Sequence, residues 1–165
     1  MEPEQITVRP AVPADGESLV RLRIANAEAH IALDPQAYRV PAREAVLRHF
    51  TAVLTGPAEH HVVLVADLGG RTVGMVEVVR SPDPPDHQIL RPEPSAQIHT
   101  VVADEVRGRG VGAALLGAAE TWAVAHGITY LSAGIHHRNA GAVRFYERHG
   151  FAGSGISLGR APTAS

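Results

Sequence analysis

The chain has 165 residues, 45% hydrophobic but only 4% aromatic, which suits one domain (residues 1–165) with an aliphatic core. A formal net charge of −2 gives no global field for nucleic acid or an anionic membrane, so neither partner is expected. The absence of cysteine excludes disulfides, thiolate metal sites and a cysteine acyl-enzyme. The opening residues lack the basic head and apolar run of a signal peptide, and no stretch reaches the ~18 apolar residues of a membrane span, so a cytoplasmic protein is expected.

In chain order, residues 6–10 read as an edge strand stopped by Pro10. A first helix starts near Pro13 and carries Leu19, Leu22, Arg23 and Asn26 at helical spacing toward His30. Pro41 opens a second helix over 42–54, with Val46, Leu47, Phe50 and Leu54 on its apolar face. Residues 61–66 and 72–79 flank Gly69-Gly70 and predict a hairpin. Five prolines between 81 and 94 make that segment an extended loop. A strand over 96–102, a helix from 109 to 126 capped by Gly127, a strand over 128–135, a helix over 139–149 and a last strand over 151–158 complete the order. Residues 161–165 are expected to fray. The predicted series β-α-α-β-β-β-α-β-α-β contains one right-handed βαβ crossover.

The stretch joining the fifth of these strands' predecessor to its helix, residues 101–116, carries the first chemical signal. Glycines at 108, 110 and 112 let a ligand approach the backbone closely, and the helix start adds unpaired N–H groups. Arg107 and Arg109 add cationic donors. The order strand, glycine turn, helix start suits a diphosphate. A P-loop is excluded because no lysine or hydroxyl follows Gly112. A dinucleotide fingerprint fits at Gly108, Gly110 and Ala113, but the next strand ends at Ile135 without the acidic residue that a ribose needs. A glycine-rich turn capping an ordinary helix is the plain alternative.

Arg107, Gly110 and Gly112 also fill Arg-x-x-Gly-x-Gly, and residues 139–151 fill Asn-x-x-Ala-x-x-Phe-Tyr-x-x-x-Gly-Phe. Asn139 suits a helix N-cap, and Ala142, Phe145 and Tyr146 share a helix face. Taken alone, both aromatics are core residues, although the Tyr146 hydroxyl needs a partner. The two motifs in this order, with the opening residues 6–15, resemble the GCN5-related N-acetyltransferase (GNAT) superfamily over nearly the whole chain. The resemblance implies an α/β fold: a central mixed sheet of six to seven strands, four flanking helices and a splayed parallel strand pair.

It further implies an acetyl-CoA-dependent N-acetyltransferase acting on a primary amine of a small molecule or peptide, with a homodimer common in the family. Arg107, Gly108, Arg109, Gly110, Val111, Gly112 and Ala113 would hold the pyrophosphate. Val101 and Val102 would offer main-chain groups to the pantetheine arm and thioester, Asn139 would contact or position that arm, and Tyr146 would be the general acid. An amine of pKa about 10.4 needs roughly 4–5 kcal/mol to lose its proton at pH 7, so a base is required. His99 is the first candidate, on the strand before the loop, and Glu77 on the neighbouring strand is the second. Many relatives carry a carboxylate near His99; here Gln97 and His99 stand there instead. Glu28 and His30 are candidates for the acceptor pocket. The pairs His60-His61 and His136-His137 tend to diverge, and no His-x-x-x-His lies on a helix, so no metal is expected. An acyl-CoA sensor without catalysis and an NAD(P)-dependent oxidoreductase are the rival readings.

Overall fold

The computed structural model describes residues 3–163 and divides into two compact units, Met1–Gly134 and Ile135–Ser165. The first unit holds β1 (Thr7–Pro10), α1 (Gly16–Leu33), α2 (Arg43–Thr55), β2 (His61–Leu68), β3 (Arg71–Arg80), β4 (Ser95–Val102), α3 (Val111–Ala125) and β5 (Tyr130–Ser132). The second holds α4 (Ala140–Arg148). The strands form one sheet in the order β1-β2-β3-β4-β5, antiparallel throughout except for the parallel pair β4–β5. Among the described residues no helix is long and apolar enough to cross a membrane.

Gly69 and Gly70, both at positive φ, make the two-residue turn between β2 and β3. Strand alternation then divides the side chains between two faces. Val63 and Val65 of β2, Met75 of β3 and Val101 of β4 pack with Leu19, Val20, Leu22, Val46 and Phe50 of α1 and α2. The even-numbered residues of β3 and β4 turn to the other face, which α3 covers with Val111, Leu115, Leu116, Ala119 and Ala123. Gly74 sits under that helix: a Cβ there would come within 3.0 Å of Leu115 Cδ1 and Val111 Cγ1 and 3.1 Å of the Val101 carbonyl oxygen. At the opposite edge, Arg9 of β1 grips Asp15 through two hydrogen bonds of 2.8 and 2.9 Å and Asp67 of β2 through a third, fixing the start of α1 to the sheet.

Among the described residues five strands are found where six to seven were expected. The strand expected over 128–135 shortens to Tyr130–Ser132. The strand expected over 151–158 is absent, because Phe151 is committed to the end of α4. Its N–H donates to the Tyr146 carbonyl (3.1 Å), Gly150 at φ 87° donates to the Glu147 carbonyl, and the Phe151 and Tyr146 rings meet edge to face at 5.2 Å. This is a Schellman closure with its hydrophobic contact. Beyond it, Gly153, Gly155 and Gly159 weaken any strand, and residues 152–163 are exposed. Of the residues expected to fray, 161–163 have no regular structure, and 164–165 lie outside the described residues.

Candidate functional site

Three features of the first unit converge on β4. The first is the loop that follows it. Ala103 donates to the Val73 carbonyl, a short 3-10 turn spans Asp104–Val106, and buried Val106 and Val111 pin the two ends of an otherwise exposed loop. Gly108 (φ 76°) and Gly110 (φ 88°) adopt the left-handed conformation, and Gly110 is the N-cap residue of α3. No side chain caps this helix, and its first closed hydrogen bond runs from the Ala114 N–H to the Gly110 carbonyl. The N–H groups of Val111, Gly112 and Ala113 therefore precede the helical ladder, as an anion-binding helix start requires. The helix begins at Val111 rather than Arg109, which leaves Arg109 in the loop. Arg107 pairs with Asp104 at 2.8 Å and Arg109 with Glu4 at 3.3 Å, both at the surface, where such pairs exchange readily for a phosphate.

The second feature is an early end to strand pairing. Parallel register between β4 and β5 runs only from Ser95↔Tyr130 to Gln97↔Ser132, whereas β4 continues to Val102. The hydrogen bonds Ser81 N–H to Ser95 O and Ala103 N–H to Val73 O show that odd-numbered residues of β4 direct their main-chain groups toward β3. Ile98 and Val102 therefore direct theirs to the side away from β3, beyond the last position paired with β5. The same alternation separates the two valines: Val102 faces that side, while Val101, in register with Met75, turns its main chain to β3.

The third is a polar cluster on the α1/α2 face. Glu77, 3% exposed, receives Arg23 of α1 on Oε1 and the Nε2 atoms of His61 (2.8 Å) and His49 (3.2 Å) on Oε2. Burial pushes its carboxyl up, but the hydrogen bond from His61, the charge of Arg23 and the hydrogen bond from His49 outweigh it and hold the pKa at about 2. A carboxylate so stabilised is a poor proton acceptor. His99 lies opposite Glu77 in the β3–β4 register, on the same face, with an exposed ring. Packing around the ring pushes its pKa below the ordinary value; the Glu77 charge opposes this, and Arg23 and His61 reinforce it. His99 is thus the group of this pair that is neutral and accessible near pH 7.

On α1, His30 lies two turns beyond Arg23 on the same stripe, its Nδ1 donating to the Asn26 carbonyl (2.8 Å) and its ring edge on Tyr38. Glu28 is out of phase with that stripe and exposed. In the second unit, the Asn139 side-chain oxygen accepts from the Ala142 N–H at 3.2 Å, capping α4, and Tyr146 is buried, 7% exposed, between the rings of Phe145 and Phe151. Phe145, read as the core aromatic, is only half-buried.

The sequence reading missed His49 and the Arg23–Glu77 pair. Its expectation of no metal rested on neighbouring histidines, yet the fold brings His49, His61 and Glu77 from α2, β2 and β3 so that their ligand atoms lie within 4.8 Å of one another. The available signal was the alternation of β2 and β3, which puts His61 and Glu77 on one face.

Similarity to known proteins agrees with these features. Residues 26–151 match the sequence model of the acetyltransferase (GNAT) family. No curated protein sequence matches. Among solved structures, the tetramutant of BH1408 from Bacillus halodurans superposes with a TM-score of 0.81 at 22% identity, covering 94% of this chain and 99% of that one. The aminoglycoside N-acetyltransferase AAC(6')-Iy in complex with CoA gives a TM-score of 0.74 at 16% identity over 99% of this chain and 98% of that one. Glucosamine-6-phosphate N-acetyltransferase from Arabidopsis thaliana gives 0.68 at 17% identity over 96% and 99%. At these identities the likeness carries the fold; the match over residues 26–151 carries more, and the chain belongs to the acetyltransferase (GNAT) family.

Proposed function

We propose that the chain binds acetyl-CoA along the side of β4 turned away from β3 and transfers the acetyl group to a primary amine of a small molecule or peptide by direct attack. The observation that carries this reading is the early end of the β4–β5 pairing, at Gln97↔Ser132, directly upstream of an uncapped, glycine-led helix start. An amide-rich arm can pair with the main chain of Ile98 and Val102 as a strand would, and its diphosphate then meets the N–H groups of Val111, Gly112 and Ala113. Arg107, Gly108, Arg109 and Gly110 complete that grip. Structures of family members bound to CoA support the coenzyme.

In the proposed reaction, His99 takes the ammonium proton directly or through water, and the free amine attacks the thioester carbonyl. The Val102 N–H stabilises the oxyanion, a role that such a donor fills with about 2.7–4 kcal/mol. The C–S bond then breaks, Tyr146, assigned by its place in the second motif, protonates the departing thiolate, and the acylated nitrogen passes its remaining extra proton to the phenolate, which restores Tyr146. Asn139 is assigned to position the pantetheine arm on the same ground. Glu77 keeps its charge and holds Arg23 and His61 in place beside His99. His30 and Glu28 are assigned to the acceptor side, His30 the more direct of the two because it shares the Arg23 stripe. The acceptors of neighbours, an aminoglycoside and glucosamine 6-phosphate, are small amines and support that class. A cytoplasmic location belongs to the same reading.

The test is calorimetry with acetyl-CoA followed by a thiol-release assay against a panel of amines. Amine-dependent release of free CoA is expected. Tight binding with no release for any amine would turn the reading into a coenzyme sensor, and stabilisation by NADH alone would end it.

A further inference from the structure

We propose that His49, His61 and Glu77 form a binding site for one divalent ion of the zinc class, with a remaining coordination position open to solvent. Two imidazole nitrogens and one carboxylate oxygen are a donor set that zinc takes readily. Zinc–ligand bonds of about 2.0–2.1 Å at tetrahedral angles place ligand atoms about 3.3 Å apart. Glu77 Oε2 lies 3.2 Å from His49 Nε2 and 2.8 Å from His61 Nε2, and all three ligand atoms fall within 4.8 Å. The two imidazoles converge on one carboxylate oxygen rather than dividing between two, because Arg23 occupies the other. Their rings are tilted by 49° at 5.7 Å rather than stacked, so both can present a nitrogen to a common point.

The scaffold is rigid where it must be and open where an ion must enter. His61 and Glu77 are diagonal neighbours on paired strands, and Arg23 bonds Glu77 as an orienting partner of the kind that ligating carboxylates have. His49 comes from α2, with its side chain 48% exposed, and supplies both the route in and the freedom to close on the ion. Without an ion, both Nε2 atoms serve the Glu77 oxygen as N–H donors. Binding takes their lone pairs instead, each ring carrying its proton on Nδ1.

The experiment uses the full chain stripped with EDTA and dialysed. Zn²⁺ titration against a chromophoric chelator should give one ion per chain, Tm should rise with Zn²⁺ concentration, and Co²⁺ should give the visible bands of a four-coordinate site. His49→Ala and His61→Ala should each weaken binding by ~100-fold or more. The double variant His136→Ala/His137→Ala should bind as the parent does. His49→Cys should retain the ion and add a thiolate-to-Co²⁺ charge-transfer band, unambiguous in a chain with no other cysteine. Absence of binding, binding unchanged in His49→Ala and His61→Ala, or a folded His49→Cys without that band would each overturn the proposal.

Discussion

The Glu77 cluster predicts a measurable dependence of stability on acid. In the unfolded chain the carboxyl titrates near its ordinary 4.5, whereas in the fold it stays ionised down to about 2. Below 4.5 the unfolded state therefore binds the proton first, and stability falls as pH drops. The contribution is complete above pH 4.5, declines through the interval and is gone below pH 2. At about 1.4 kcal/mol per pH unit, the interval makes about 3 kcal/mol. Urea unfolding of the parent between pH 5.5 and 2.5 should show most of this loss. Asp15 is lowered too, by its hydrogen bonds to Arg9, and adds an acid dependence of the same sign, so the comparison must isolate Glu77. Removing Glu77 alone strands Arg23, a part-buried cation whose side chain is 28% exposed, and so mixes the loss of the carboxylate with the cost of an unpaired guanidinium. The better comparison is Arg23→Met/Glu77→Gln, which removes both charges. Its stability should decline less steeply by about 3 kcal/mol over the full interval. Parallel acid profiles for the parent and the double variant would refute an ionised, well-satisfied Glu77.

Other outcomes follow from the same geometry. Gly110→Ala forces a side chain into a left-handed N-cap, a strain of about 1–2 kcal/mol, and should lower acetyl-CoA affinity in calorimetry more than it lowers Tm. Tyr146→Phe should slow turnover by at most about 10²–10⁴-fold in the thiol-release assay, and an unchanged rate at every pH would remove the hydroxyl from the reaction. His99→Gln should abolish the acid limb of the rate profile, a limb that in the parent lies below the ordinary histidine value because the groups packed around the ring disfavour its charged form. Phe50→Ala, at a fully buried position among α1, α2 and the sheet, should lose about 3–5 kcal/mol of stability in urea unfolding while leaving coenzyme affinity intact.

Much of this molecule is legible where chemistry is local. Gly69-Gly70 announces a turn, Asn139 a cap, and Gly127 and Gly150 two helix ends, because each depends on residues a few positions away. The glycine turn at 108–110 is legible for the same reason. The last strand misleads: Phe151 has strand character, but its contact with Tyr146 closes a helix instead. The length of β5 is equally hidden, since Ile128 to Ile135 looks uniformly strand-like and only pairing with β4 decides where it stops. Glu28 and His30 are two positions apart in sequence and fall on different sides of α1, a matter of helical phase. The Glu77 cluster collects residues 23, 49, 61 and 77 from four elements, and nothing local in any of them points to the other three.

The missing side chain at Gly74 reverses the usual rule that mutational sensitivity grows with proximity to a ligand. Because Val111 and Leu115 rest directly on that backbone, the height of α3 above the sheet is decided on β3, and the helix carries its leading amides along with it. Replacing Arg107 or Arg109 should leave stability nearly unchanged, since each side chain is exposed and makes only a surface ion pair. A methyl group at position 74 would press on Val111 and Leu115 together and shift the whole start of the helix, the Val111, Gly112 and Ala113 amides included, from the strand beneath it.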